Sequence, residues 1–120
     1  MRLLPPLVFC ALASVLEAEE FSLSTGDTVV PAQVLASRLS GQILTFYDNG
    51  TSKFFTDGLY TYTYAGQGGT AYGYWKVTAD GTVCIDYING WSRCDMYVRN
   101  GDRLVLITEQ GDRFPIRPKD

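Results

Sequence analysis

From residue 42 onward, apolar and polar positions alternate in short runs separated by turn-forming pairs. Asn49-Gly50, Asp57-Gly58, Asp80-Gly81, Asn89-Gly90, Asn100-Gly101 and Gln110-Gly111 mark the breaks, and a looser Gly66-Gln67-Gly68-Gly69 lies between the second and third. Asn-Gly and Asp-Gly suit tight hairpins because both central residues of such turns need positive φ. The segments between them are rich in β-branched and aromatic residues. The pattern predicts strands near 42–48, 51–56, 59–65, 70–79, 82–88, 92–99, 102–109 and 112–116. Tight hairpins place each strand antiparallel beside its predecessor. The expected fold is therefore all-β, an eight-stranded antiparallel up-and-down meander.

Such a sheet has one apolar face to bury, so it must close on itself or flatten into two layers. Closure removes both exposed edges, which favours a small closed barrel, with a flattened one as the alternative. A barrel this small is expected to be filled by its own side chains. Upstream, residues 21–30 read as irregular. Pro31 to Leu39 reads as a short helix: proline suits a first helical position, Val34, Leu35 and Leu39 form a narrow apolar stripe, and Gly41 can end it. Such a helix could plug one barrel end or cover a seam. Pro115 and Pro118 should end the pairing. The domain reading is a signal peptide over 1–18, an N-terminal extension with the short helix over 19–41, and the β-barrel domain over 42–117.

The signal peptide rests on its own pattern. Met1 and Arg2 open with a positive charge, and an apolar run follows from Leu3 to Leu16, broken by Pro5, Pro6 and Ser14. Small residues then lead into Glu19 and Glu20. Cleavage is expected after Ala18, with Ala13 as the alternative. The run is short for a membrane span, and no later segment offers one. A retained anchor and a lipid on Cys10 are the competing readings. Phe9 stands where a small residue should precede a lipidated cysteine.

Cleavage at Ala18 removes Cys10 and leaves Cys84 and Cys94, an even pair of the kind that oxidising compartments join. The two flank the Asn89-Gly90 turn. If 84 faces 94, then 86 faces 92 and 82 faces 96, all on one side of the sheet. Directly opposed antiparallel residues lie about 4.5–5.5 Å apart, within disulfide reach. Closing so short a loop is worth a little under about 3 kcal/mol. A redox-active pair would sit close together at a helix start, and neither condition is met. The expected location is periplasmic or secreted.

Composition removes several chemistries. The chain has no histidine, hence no Ser-His or Cys-His nucleophile and no imidazole ligand for metal or haem. Ten Lys and Arg residues are scattered, and the net charge is −3. It stays −3 after cleavage, because Arg2 and Glu17 leave together. No basic stripe is present to neutralise phosphates, so nucleic acid is not an expected partner.

Aromatic density is the remaining signal. Tyr60, Tyr62 and Tyr64 alternate along one strand and share a face; Tyr72 and Tyr74 share a face of the next; Trp91 sits at a turn. These six form the candidate binding surface, a stacking platform for sugars, peptides or a planar ligand. The competing reading is that the tyrosines only pair across strands and stabilise the sheet. Trp75 points away from Tyr74 and reads as core. Asp86 falls on the cysteine face and Asp95 on the opposite one near Val83, so they do not converge as a catalytic pair. Asp57, Asp80, Asp102 and Asp112 are turn residues. Asn49-Gly50-Thr51 is a formal glycosylation sequon within a turn. No catalytic residue, metal site or cofactor is expected.

Ser40-Gly41-Gln42, Thr45-Phe46-Tyr47-Asp48-Asn49-Gly50, Gly73-Tyr74-Trp75-Lys76-Val77 and Val83-Cys84-Ile85 together resemble small exported bacterial β-proteins of unassigned function. That family pattern combines a signal peptide, a short helix ending in glycine, a Gly-x-Trp-x-Val strand and two cysteines. A looser architectural similarity is to the lysozyme-inhibitor barrels of the bacterial envelope. The resemblance covers about residues 32–110 and implies export without supplying catalytic residues. The functional expectation is a non-enzymatic binding or interaction module of the bacterial cell envelope, its partner a protein or glycan. The alternatives are an inhibitor of a lysozyme-type enzyme and a small-molecule carrier using the barrel interior.

Overall fold

The computed structural model describes residues 21–119; the signal-peptide reading and Cys10 fall outside them. The chain is all-β with one helix. Strand β1 (Asp27–Val29) precedes helix α1 (Ala32–Leu39). Then come β2 (Ile43–Thr45), β3 (Thr51–Phe54), β4 (Leu59–Thr63), β5 (Thr70–Val77) and β6 (Thr82–Tyr87). Strands β7 (Ser92–Asn100), β8 (Arg103–Thr108) and β9 (Arg113–Pro115) complete the chain. Strands β2 to β9 pair in sequence order, all antiparallel, as the hairpin rhythm requires.

Two features depart from the expected closed, eight-stranded barrel. The first is a ninth strand within the segment read as irregular. β1 pairs with Val98 to Asn100 of β7, beyond the stretch that pairs with β6. At nine residues, β7 outruns its six-residue partner β6, and β1 takes up the backbone groups left over. The second is that the sheet stays open. It curls into a half-barrel whose two edges meet at a bridge between Phe46 and Ile116 and at Arg117 N–H to the Thr45 carbonyl, 2.8 Å, with side-chain hydrogen bonds from Arg117 to Asn49 and from Lys119 to Gln42 beside them. Edge strands β2 and β9 are three residues each, too short to form a closing ladder.

Alternating hairpins sort the connections to two ends. The β2–β3, β4–β5, β6–β7 and β8–β9 turns lie at one end, and the β3–β4, β5–β6 and β7–β8 turns at the other. Helix α1 covers the latter, against β5. Pro31 is its N-cap, one position earlier than expected, and Gly41, at φ +77°, lets the chain turn back so that its N–H meets the Phe54 carbonyl at 2.7 Å. Leu35 and Leu39 are fully buried, whereas Val34, assigned to the same stripe, is exposed. Together with Val30, Phe54, Val83 and Leu106 the two leucines form the principal core.

The convex side carries a second, smaller cluster of Val98, Val105 and Ile107 under Phe21. Asp27 on β1 reaches Arg113 on β9 through two charge-assisted hydrogen bonds, both 2.9 Å. Asn100 Nδ2 donates to the same carboxylate at 2.8 Å. These donors hold the Asp27 carboxyl well below the usual carboxylate range, Arg113 contributing most.

Cys84 and Cys94 are joined, with their Cα atoms 4.0 Å apart. The register is the expected one, with Thr82 opposite Met96 and Asp86 opposite Ser92.

Candidate functional site

The end away from α1 is open and concave. A recess of about 220 Å³ sinks between the strands there. It opens into an outer basin of about 560 Å³, and both are walled by Tyr64, Tyr87, Arg93, Asp95 and Phe114. The interior is therefore not wholly filled by side chains, contrary to expectation. Gly73 shapes one wall of it by letting neighbouring strands approach. It lies between Tyr60 and Tyr87 in the cross-strand row and contributes no side chain there. A Cβ at that position would sit 2.5 Å from the Asp86 carbonyl oxygen and 3.0 Å from Tyr87 Cα. Without it the strands close up, and the rings of Tyr60 and Tyr87 face each other edge-on at 6.1 Å.

The six residues of the candidate surface do not form one patch. Tyr60, Tyr62 and Tyr64 point inward on β4 and just beyond it, as their alternation requires, and all three line the recess. Tyr60 is buried, Tyr62 half-buried and Tyr64 exposed, so the row runs from core to mouth. Tyr72 and Tyr74 are exposed on the opposite, convex face. Trp91 is 74 % exposed on the outer basin, in the β6–β7 turn. Trp75 is part of the core: its indole N–H donates to the Phe55 carbonyl at 2.8 Å, and its ring meets Phe54 at 87°.

Packing between the inward rings is edge-to-face. Tyr62 and Tyr64 lie 4.9 Å apart at 80°, and Phe54 and Tyr60 lie 5.1 Å apart at 64°. This geometry pairs positive ring edges with negative ring faces. Gly50 is part of it, since a Cβ there would fall 2.1 Å from the Tyr62 hydroxyl. The formal sequon thus lies in a turn pressed against a wall of the recess, where Asp48 accepts the Gly50 N–H at 2.9 Å.

The charged part of the site was not singled out from the sequence. Arg93 and Asp95 are two apart on β7, on the face opposite Cys94. The guanidinium donates Nε–H to one carboxylate oxygen at 3.0 Å and Nη2–H to the other at 2.8 Å. The Asp95 side chain is 7 % exposed and that of Arg93 45 %. Burial pushes the Asp95 carboxyl up, and the Arg93 bonds oppose that shift. Burial also raises Tyr60, Tyr62, Tyr87 and Tyr97, which keeps these phenols protonated as neutral donors. Ser52 Oγ and Tyr60 OH are hydrogen-bonded at 2.8 Å deeper in the wall. The sequence signal for the pair was available: opposite charges at i and i+2 on a strand whose reverse face carries a cysteine.

Asp86 lies on the convex face opposite Tyr74 and Ser92, away from Asp95. Among the described residues no group of three or more acidic or cysteine side chains is placed to hold a metal ion. No helix among them is long and apolar enough to cross a membrane. Comparison of the chain with family models, curated proteins and solved structures finds no match.

Proposed function

We propose that the protein is an exported, non-enzymatic binding module of the bacterial cell envelope and that its binding site is the open end of the half-barrel. The observation that carries this reading is the continuous concavity there. Its depth is built from tyrosines and an arginine–carboxylate pair, while the other end is covered by α1. Binding sites are concave and mostly apolar, with a few placed polar groups. The recess alone falls below the roughly 300–1,000 Å³ usual for such sites; with the outer basin it falls within that range. A small part of a larger ligand inside, and the remainder in the basin, fits this two-stage shape better than a wholly enclosed cargo. The joined cysteines support export, since such bonds persist outside the reducing cytoplasm.

The test is affinity capture from envelope extract with the oxidised protein, beside a Tyr62→Ser, Tyr64→Ser double variant checked for folding by circular dichroism. Material retained by the wild type and lost from the variant is the expected result. Equal retention by both moves binding away from the mouth and overturns the proposal.

A further inference from the structure

Tyr97 lies at the bottom of the recess and is 2 % exposed. The hydroxyl–hydroxyl bond nearby joins Ser52 to Tyr60, and no side-chain hydrogen bond among the described residues involves the Tyr97 hydroxyl. A buried hydroxyl left unpaired costs about 1–3 kcal/mol. Its surroundings are polar in a particular way. The Ser52–Tyr60 hydroxyl pair shares one proton and the Tyr87 hydroxyl neighbours Tyr60, which leaves lone pairs on these oxygens able to accept. Arg93 commits two of its five N–H groups to Asp95 and keeps three. The pair is charge-balanced, so an anion meets a guanidinium already neutralised and a cation a carboxylate already neutralised. A hydrocarbon ligand would desolvate the Tyr97 hydroxyl and the ion pair with nothing in return.

What remains is a neutral molecule with apolar C–H faces for the rings and several hydroxyls that both donate and accept. Resting on the binding site proposed above, we infer that the mouth takes a neutral saccharide, one ring inserted toward Tyr97 and the chain continuing into the outer basin. The inserted ring meets ring faces and edges of Tyr60, Tyr62 and Tyr87. Its hydroxyls complete the hydrogen bonding of Tyr97 and take the free Arg93 donors. Stacking and hydrogen bonding then act together, and neither depends on net charge.

The experiment is calorimetric titration of the oxidised protein with maltotriose, cellotriose and triacetylchitotriose, in parallel with benzoate and choline as small charged probes. At least one trisaccharide is expected to bind, and neither charged probe. Tyr97→Phe keeps the ring and removes the hydroxyl. It should weaken the trisaccharide about fivefold, the worth of one neutral hydrogen bond. The same variant should unfold at an unchanged or higher temperature, because an unpaired buried group is gone. Opposite signs in the two readouts separate a ligand contact from a structural role. Tyr74→Phe, on the convex face, should leave binding unchanged. Undiminished trisaccharide binding by Tyr97→Phe overturns the inference, as does binding of benzoate or choline in place of every sugar. Silence of all three sugars also overturns it. If captured material is still lost from the Tyr62→Ser, Tyr64→Ser variant, that silence removes the ligand class and leaves the site standing.

Discussion

The two ends of the half-barrel are built from the same strands and differ in what alternation delivers to them. At the covered end the inward positions are Val77, Val83, Leu104 and Ile116, and α1 adds Leu35 and Leu39. At the open end the same strands deliver Tyr62, Tyr64, Tyr87 and Arg93, with only the short 3-10 turn Ala65–Gln67 following Tyr64 among the described residues. The covered end stabilises the fold through burial under α1, although a groove of about 470 Å³ beside it carries Arg38, Asp102, Arg103, Arg117 and Lys119. The open end keeps polar groups whose hydrogen bonding the protein does not complete.

The contrast can be broken from the covered end first. Leu35→Ala removes a fully buried side chain and should cost about 3 kcal/mol. A denaturant titration should show a lower midpoint with little change in slope, while binding at the mouth, measured where the variant is still folded, stays as in the wild type. A binding loss larger than the folding loss would mean that the ends are not independent.

A smaller effect is expected on the convex side. Asp27 has a folded pKa below its unfolded value, so its contribution is present above about pH 4 and is lost as pH falls through the folded value. Asp27→Asn should therefore lower stability by about 1 kcal/mol at neutral pH. The gap between variant and wild type should narrow under acid, and melting curves from pH 7 down to pH 2 test this. A gap that widens on acidification would contradict the assigned role of Arg113. The smallest stability change belongs to the mouth. Trp91→Ala, at an exposed turn, should shift stability by less than about 0.5 kcal/mol and yet reduce retention in the capture experiment. Unaltered retention would confine the site to the recess.

Local chemistry made much of this legible in the sequence. Asn89-Gly90 between Cys84 and Cys94 marked a hairpin, its register and its covalent link through period-two alternation, although only Gly90 of the pair takes the positive φ expected of both. The same alternation put Tyr60, Tyr62 and Tyr64 on one face. What could not be read from neighbours in sequence was long-range. Asp27–Val29 looks irregular alone and becomes a strand because β7 outruns β6 by enough residues to accept it. Closure failed because β2 and β9 are short, which depends on where the sheet curls. The contact between Tyr60 and Tyr87 depends on Gly73 lying between them on a third strand. Arg93 and Asp95 were visible as neighbours, but their joint burial comes from the surrounding wall.

Cys94 sits between Arg93 and Asp95 and points the other way. The sulfur bond to Cys84 therefore fixes, from outside the wall, the main chain that carries both charged groups of the mouth. A staple of this kind resists splaying of the hairpin and holds a constant spacing between guanidinium and carboxylate. Formation of that bond therefore fixes the spacing of the two charged groups as well as the hairpin.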